Sequence, residues 1–127
     1  MGTRSLTFVY DDNEAVINLY RQYDGYPEGH GRELADFLSP FTIVNGYGQR
    51  TENIANGMSC LAAQLVAHFK NGVGQFYLHP VSATNCGQDY EYHVHKDKVV
   101  VKNYDGREIF SGNWENFSMF CGAEELV

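Results

Sequence analysis

The sequence predicts an α+β domain on a mostly antiparallel sheet, with elements in the order ββααββββ and two helices packed on one face. Apolar and polar residues alternate early and late in the chain, as strands require, whereas the middle carries two runs at helical spacing. The 127 residues suffice for one domain with a real core and are too few for two, so residues 1–127 are read as a single domain.

Leu6, Phe8 and Tyr10 alternate with Thr7 and Val9, and Asp11-Asp12-Asn13 then supplies turn residues. A second extended run over 15–23 completes a β-hairpin. In that run Ile17, Leu19, Arg21 and Tyr23 share one face, Val16, Asn18, Tyr20 and Gln22 the other, and either face suits the core. A glycine-rich turn leads into a first helix over 32–39, with Leu34, Ala35, Phe37 and Leu38 at helical spacing and Pro40 as the stop. Residues 45–56, rich in Gly and Asn, form the longest loop, and long loops often line sites.

Met58, Leu61, Ala62, Leu65, Val66 and Phe69 fall on one stripe of a second helix, which Asn71-Gly72 ends. Its other face, Cys60, Ala63, Gln64 and Ala67, is small and uncharged, which predicts cover on both sides, by the sheet and by another helix or subunit. Residues 75–81 predict a strand. Tyr90, Tyr92 and Val94 alternate with Asp89, Glu91, His93 and His95 in the next, Lys96-Asp97 turns the chain, and residues 99–104 give a third. Asp105-Gly106 predicts a type I′ turn into a last strand over 108–111. Residues 112–127 read as a loosely structured tail anchored by Trp114, Phe117 and Phe120.

Composition narrows the function classes. A net charge of −7 argues against non-specific nucleic-acid binding, which needs a patch of Lys and Arg. An anionic ligand has to be held locally, by a few cations among Arg4, Arg21, Arg32, Arg50, Arg107 and the lysines. Aromatic residues make up 14% of the chain, with nine Tyr, whose apolar face and polar tip suit a ligand pocket or subunit interface as well as a core. The three cysteines, Cys60, Cys86 and Cys121, are widely spaced without a CxxC, which points to a reducing, cytoplasmic setting. No run resembles a signal peptide or membrane span.

The stretch around which the chain is organised is YRQYDGYPEGHG, where a strand runs through glycines into a helix start. Unpaired amides and the helix dipole favour an anion there, and glycine permits close approach. The candidate ligand set is Arg21, Tyr23, Asp24, Gly25, Tyr26, Gly29, His30, Gly31 and Arg32. An alternative reading is that the glycines and Pro27 only turn the chain while the tyrosines pack. His93 and His95 lie on one strand face, a spacing that metal sites use, with Cys86 and His79 as further ligands; the solvent face of a strand looks the same. Cys60, near a helix N-terminus, with His79 and Asp89 suggests a Cys-His-Asp hydrolase, though a buried small thiol explains Cys60 as well. No cofactor is implied.

The blocks MGTRSL, YRQYDGYPEGHG and NGMSCLAAQLVAHFKNGVG resemble a family of small proteins found in phage and bacterial genomes, over about the first two thirds of the chain. The resemblance transfers no activity. By analogy of class, it implies a phage anti-defence protein acting in the host cytoplasm, a homo-oligomer that sequesters a nucleotide-derived immune signal such as a cyclic ADP-ribose relative or a cyclic dinucleotide. The alternatives are a hydrolase using Cys60 or a His79, His93 and His95 site, and an acidic inhibitor of a host enzyme.

Overall fold

In the computed structural model, which describes residues 2–46 and 53–122, the early alternation forms an antiparallel hairpin of β1 (Ser5–Asp11) and β2 (Glu14–Arg21). A π-helical turn (Pro27–Gly31) leads into α1 (Arg32–Leu38), and β3 (Thr42–Val44) pairs in parallel with β4 (Ile54–Asn56) ahead of α2 (Gly57–Phe69). The chain then runs through β5 (Phe76–His79), β6 (Tyr90–Val94), β7 (Val99–Asn103), β8 (Glu108–Gly112) and α3 (Trp114–Phe120). The main sheet has six strands in the order β5-β2-β1-β6-β7-β8, antiparallel throughout except for β1 with β6. This is an α+β single domain. No helix among the described residues is long and apolar enough to cross a membrane.

Strand alternation sends Val9, Leu19, Phe76, Tyr92, Val94, Val99 and Val101 into one core with Leu34 and Leu38 of α1, Leu61 and Leu65 of α2, and Phe117 of α3. The stripe of α2 is buried as its spacing predicts, with Val66 half-buried. Among the described residues its opposite face has no second cover: Ala63 and Ala67 are exposed, and Cys60 and Gln64 half-buried.

The other sheet face is also covered at its centre. Residues 80–89, connecting β5 to β6, cross it and are tied down by Asn18 Nδ2, which donates to Pro80 O at 3.1 Å and Ala83 O at 2.9 Å. Arg4 O accepts from Asp89 N–H at 2.9 Å. Ser5, Leu6, Thr7, Phe8 and Val9 are therefore all buried, and the question of which face of the hairpin is inside has the answer both.

Three expectations need correction. The expected loose tail contains α3, capped by Asn113 Oδ1, which accepts from Asn116 N–H at 2.7 Å; residues 123–127 lie outside the described residues. The expected loop over 45–56 contains β4, and its residues 47–52, Arg50 among them, also lie outside the described residues. The β7–β8 turn is a hairpin but not type I′, because Asp105 is not left-handed. Gly106 N–H bonds Asn103 O at 2.9 Å, and Gly106 alone, at φ 77°, takes the left-handed position that follows a type I turn.

Candidate functional site

The glycine-rich turn is knotted to the core by Arg21, which is 4% exposed and holds its guanidinium 5.0 Å above the Phe76 ring. Its Nε donates to Tyr23 O at 2.6 Å, and Nη1 and Nη2 donate to Glu33 of α1 at 3.0 and 3.4 Å. Nη1 also lies 3.2 Å from His30 Nδ1. A guanidinium has donors only, so Nδ1 accepts; the imidazole proton sits on Nε2 and is donated to Thr7 Oγ1 at 2.7 Å. Burial first, and the Arg21 charge second, hold His30 neutral and lower its pKa to about 3.

The turn also uses its own amides. Gly25 N–H bonds Thr3 O, Gly29 and Gly31 N–H bond Tyr26 O, His30 N–H bonds Asp24 O, and Arg32 N–H bonds Gly29 O and Pro27 O. Gly25, Gly29 and Gly31 have no left-handed backbone; that role falls to Asp24, at φ 62°. What the glycines admit is the protein itself: a Cβ on Gly25 would lie 2.8 Å from Arg4 C, and one on Gly31 would lie 2.8 Å from Cys121 Sγ. Of the sequence-predicted ligand set, Arg21, Gly25, His30 and Gly31 are buried, Gly29 and Arg32 half-buried, and Tyr23, Asp24 and Tyr26 exposed. The amides of Gly25, Gly29, His30, Gly31 and Arg32, which an anion at this turn would draw on, are bonded within the protein.

On the face away from the helices, Glu91 Oε1 accepts from His93 Nε2 at 3.0 Å, which leaves Nδ1 to accept from Tyr10 OH at 2.7 Å. Gln88 Nε2 donates to Glu91 Oε2 at 2.9 Å. The bond from His93 chiefly lowers the Glu91 pKa, while burial and then Glu91 raise that of Tyr10. His93 and His95 do share a face, where Tyr10 stacks on His95 at 4.4 Å and Phe8 on His93 at 5.0 Å. Both His93 nitrogens are engaged, and no group of three or more His, Cys, Asp or Glu suited to a metal occurs among the described residues.

Cys60, His79 and Asp89 are not brought together. Cys60 Sγ lies on α2 and bonds Gln64 Oε1 at 3.4 Å, whereas Asp89 Oδ2 accepts from Arg4 N–H at 3.0 Å across the sheet. The neighbour of His79 is Cys86, with Sγ 4.0 Å from Nδ1.

At the sheet end remote from the glycine-rich turn lies an open cleft of about 940 Å³. The β1–β2 turn lines it with Asp11, Asp12 and Asn13, the β6–β7 turn with His95, Lys96, Asp97 and Lys98, and Ile43, Val44 and Met58 add apolar surface. Gly57 opens α2 into the same cleft, and that helix start has no side-chain cap. Asn56, the capping position, accepts instead from Gly46 N–H at 2.7 Å. Sequence reasoning reached this place only through the 45–56 loop. Lys96-Asp97 and Asp11-Asp12-Asn13 read as ordinary turns, and they meet because β1 and β6 run parallel and end at the same side. The chain matches no family model, no curated protein and no solved structure.

Proposed function

We propose that the protein is a small-molecule-binding protein that holds a nucleotide-derived ligand in the cleft at the start of α2. The observation that carries this reading is an uncapped helix start in a cleft that also holds Lys96 and Lys98. First-turn amides without a side-chain cap among the described residues, together with ammonium groups, suit phosphate, whereas Asp11, Asp12 and Asn13 accept from ribose hydroxyls or base amino groups. A ligand with phosphate at one end and donors at the other answers both sets. Such a ligand agrees with the resemblance to small phage proteins and with sequestration of a cyclic ADP-ribose relative or a cyclic dinucleotide, performed by a homo-oligomer.

Thermal-shift and calorimetric titration with cyclic ADP-ribose isomers and cyclic dinucleotides, read beside product chromatography, tests the reading. Saturable stabilisation without turnover is the expected result. Lys98→Ala should weaken that binding about tenfold, near the 1.5 kcal/mol scale of a hydrogen bond to a charged group. Turnover would make the protein a hydrolase. Neither binding nor turnover would leave inhibition of a host enzyme as the working reading.

A further inference from the structure

Beneath the crossing segment 80–89 lies a side-chain cluster that the binding reading does not use. Cys86, half-buried, places Sγ 4.0 Å from His79 Nδ1 and 3.9 Å from Ala83 O. Asn18, wholly buried, donates to that same Ala83 carbonyl, while its Oδ1 is one of the buried side-chain atoms with no hydrogen-bond partner among the described residues. Arg4 Nε is another, and the Arg4 guanidinium lies so close to Gly87 that a Cβ there would stand 2.9 Å from Nη1. The thiol thus sits with an imidazole on one strand, a guanidinium against the next residue and an unpartnered amide oxygen close by. An imidazole 4.0 Å from a partly exposed sulfur, with a guanidinium against the following residue, is a setting in which a cysteine reacts.

We propose that Cys86 is a thiol–disulfide exchange site, with His79 as the base that takes its proton and a small-molecule disulfide as the reacting partner. The Cys86 proton moves to His79 Nδ1, and the sulfur attacks one sulfur of R–S–S–R. A Cys86–S–S–R bond forms and the reagent S–S bond breaks. The leaving thiolate departs with the electron pair and takes the proton back from the imidazolium. Cys86 is oxidised and the departing R–S group is reduced, so atoms and electrons balance.

The other two thiols lack these surroundings. Cys121 is buried, and its pKa is pushed up to about 12, by burial first and then by Glu28 and Asp36. Cys60 contacts Gln64, which is no base. The charged and titratable groups around Cys86 are His79 and its ring neighbour Tyr20, Arg4, Asp89 on the Arg4 amide, and Glu91 through Gln88.

The native full chain is treated with dithiobis(nitrobenzoate) and with oxidised glutathione, and the modified residue is mapped by peptide mass. Cys86 should be labelled first. His79→Gln should slow labelling at pH 7 by about tenfold or more, the lower range of a lost general base. First labelling at Cys60, or a His79→Gln rate like wild type, would overturn the proposal. Should His79→Gln fail to fold, His79→Asn carries the same comparison, and labelling of Cys86 in it at the wild-type rate rejects His79 as the base.

Discussion

His30 shows what the glycine-rich turn does at the scale of single residues. Its pKa is lowered to about 3 in the fold, below the ordinary imidazole value of about 6.5, so the folded state favours the neutral ring. The stability this contributes is complete above about pH 6.5 and is lost as pH falls toward the folded value, at up to about 1.4 kcal/mol per pH unit. Urea unfolding between pH 7 and pH 5 should show that slope in wild type and a shallower one in His30→Gln; equal slopes would mean that the ring titrates normally. The glycines supply a second comparison. Gly25→Ala drives a methyl into the Arg4 and Ser5 main chain, whereas Gly31→Ala meets the Cys121 sulfur and the Tyr92 ring. Overpacking costs about 1 to 3 kcal/mol, and Gly25→Ala should lie at or above the top of that range, with Gly31→Ala below it, in melts of the two variants. The sequence named all these residues but not their partners. Glycine between strand and helix reads the same whether a ligand or the chain itself comes close. Arg21 shares a face with Leu19, a sign of burial, but its partners Glu33 and His30 meet it only through the fold of the turn.

At the scale of elements, α2 was legible because Leu61 and Leu65 repeat on one face through a helix of thirteen residues. Leu65→Ala should cost about 2 to 5 kcal/mol as a buried truncation. A loss under about 0.5 kcal/mol, measured by denaturant unfolding, would be a surface effect and would contradict that burial. α3 was missed although its signals stand in the sequence: Asn113 precedes a run in which Trp114, Phe117 and Phe120 recur every third residue. Seven residues hold too few turns for periodicity to separate from chance, and packing of Phe117 against Phe110 and Tyr92 supplies what propensity does not. Asn113→Ala removes the cap and should lower stability by about 1 kcal/mol. β3 and β4 went unread for the same reason, three residues being too few to show alternation, and their parallel pairing depends on chain between them that no local pattern specifies.

At the scale of the whole molecule, the sheet was legible in class and not in order, because the alternation that marks β1 and β6 as strands does not say that they are neighbours. The connection that makes them so, residues 80–89, brings Cys86 to His79 and buries the second face. The exposed edge of that sheet bears on the proposed homo-oligomer. Val73, Tyr77, Leu78 and Val81 are exposed large apolar residues in one short stretch at β5, the strand that ends the sheet. At Phe76 the main chain of this edge is already bonded: Lys70 Nζ donates to Phe76 O at 2.7 Å and Phe76 N–H bonds Gly74 O at 2.7 Å, and Pro80 follows the strand directly. Addition of a further strand at this end is thereby hindered, whereas side-chain contact between two copies about a two-fold axis remains open. The exposed small face of α2 offers little apolar area beside it. Sedimentation at high micromolar protein should therefore give a dimer, twice the 14.4 kDa of the chain. Leu78→Asp should return it to the single-chain mass, since it sets like charges against each other near the axis. The melting temperature of the dissociated chain should change little, because Leu78 is 62% exposed and packs weakly in the single chain. A wild-type species of 14.4 kDa alone would remove the dimer, and a dimer that survives Leu78→Asp but dissociates in Ala63→Glu would move the interface to α2.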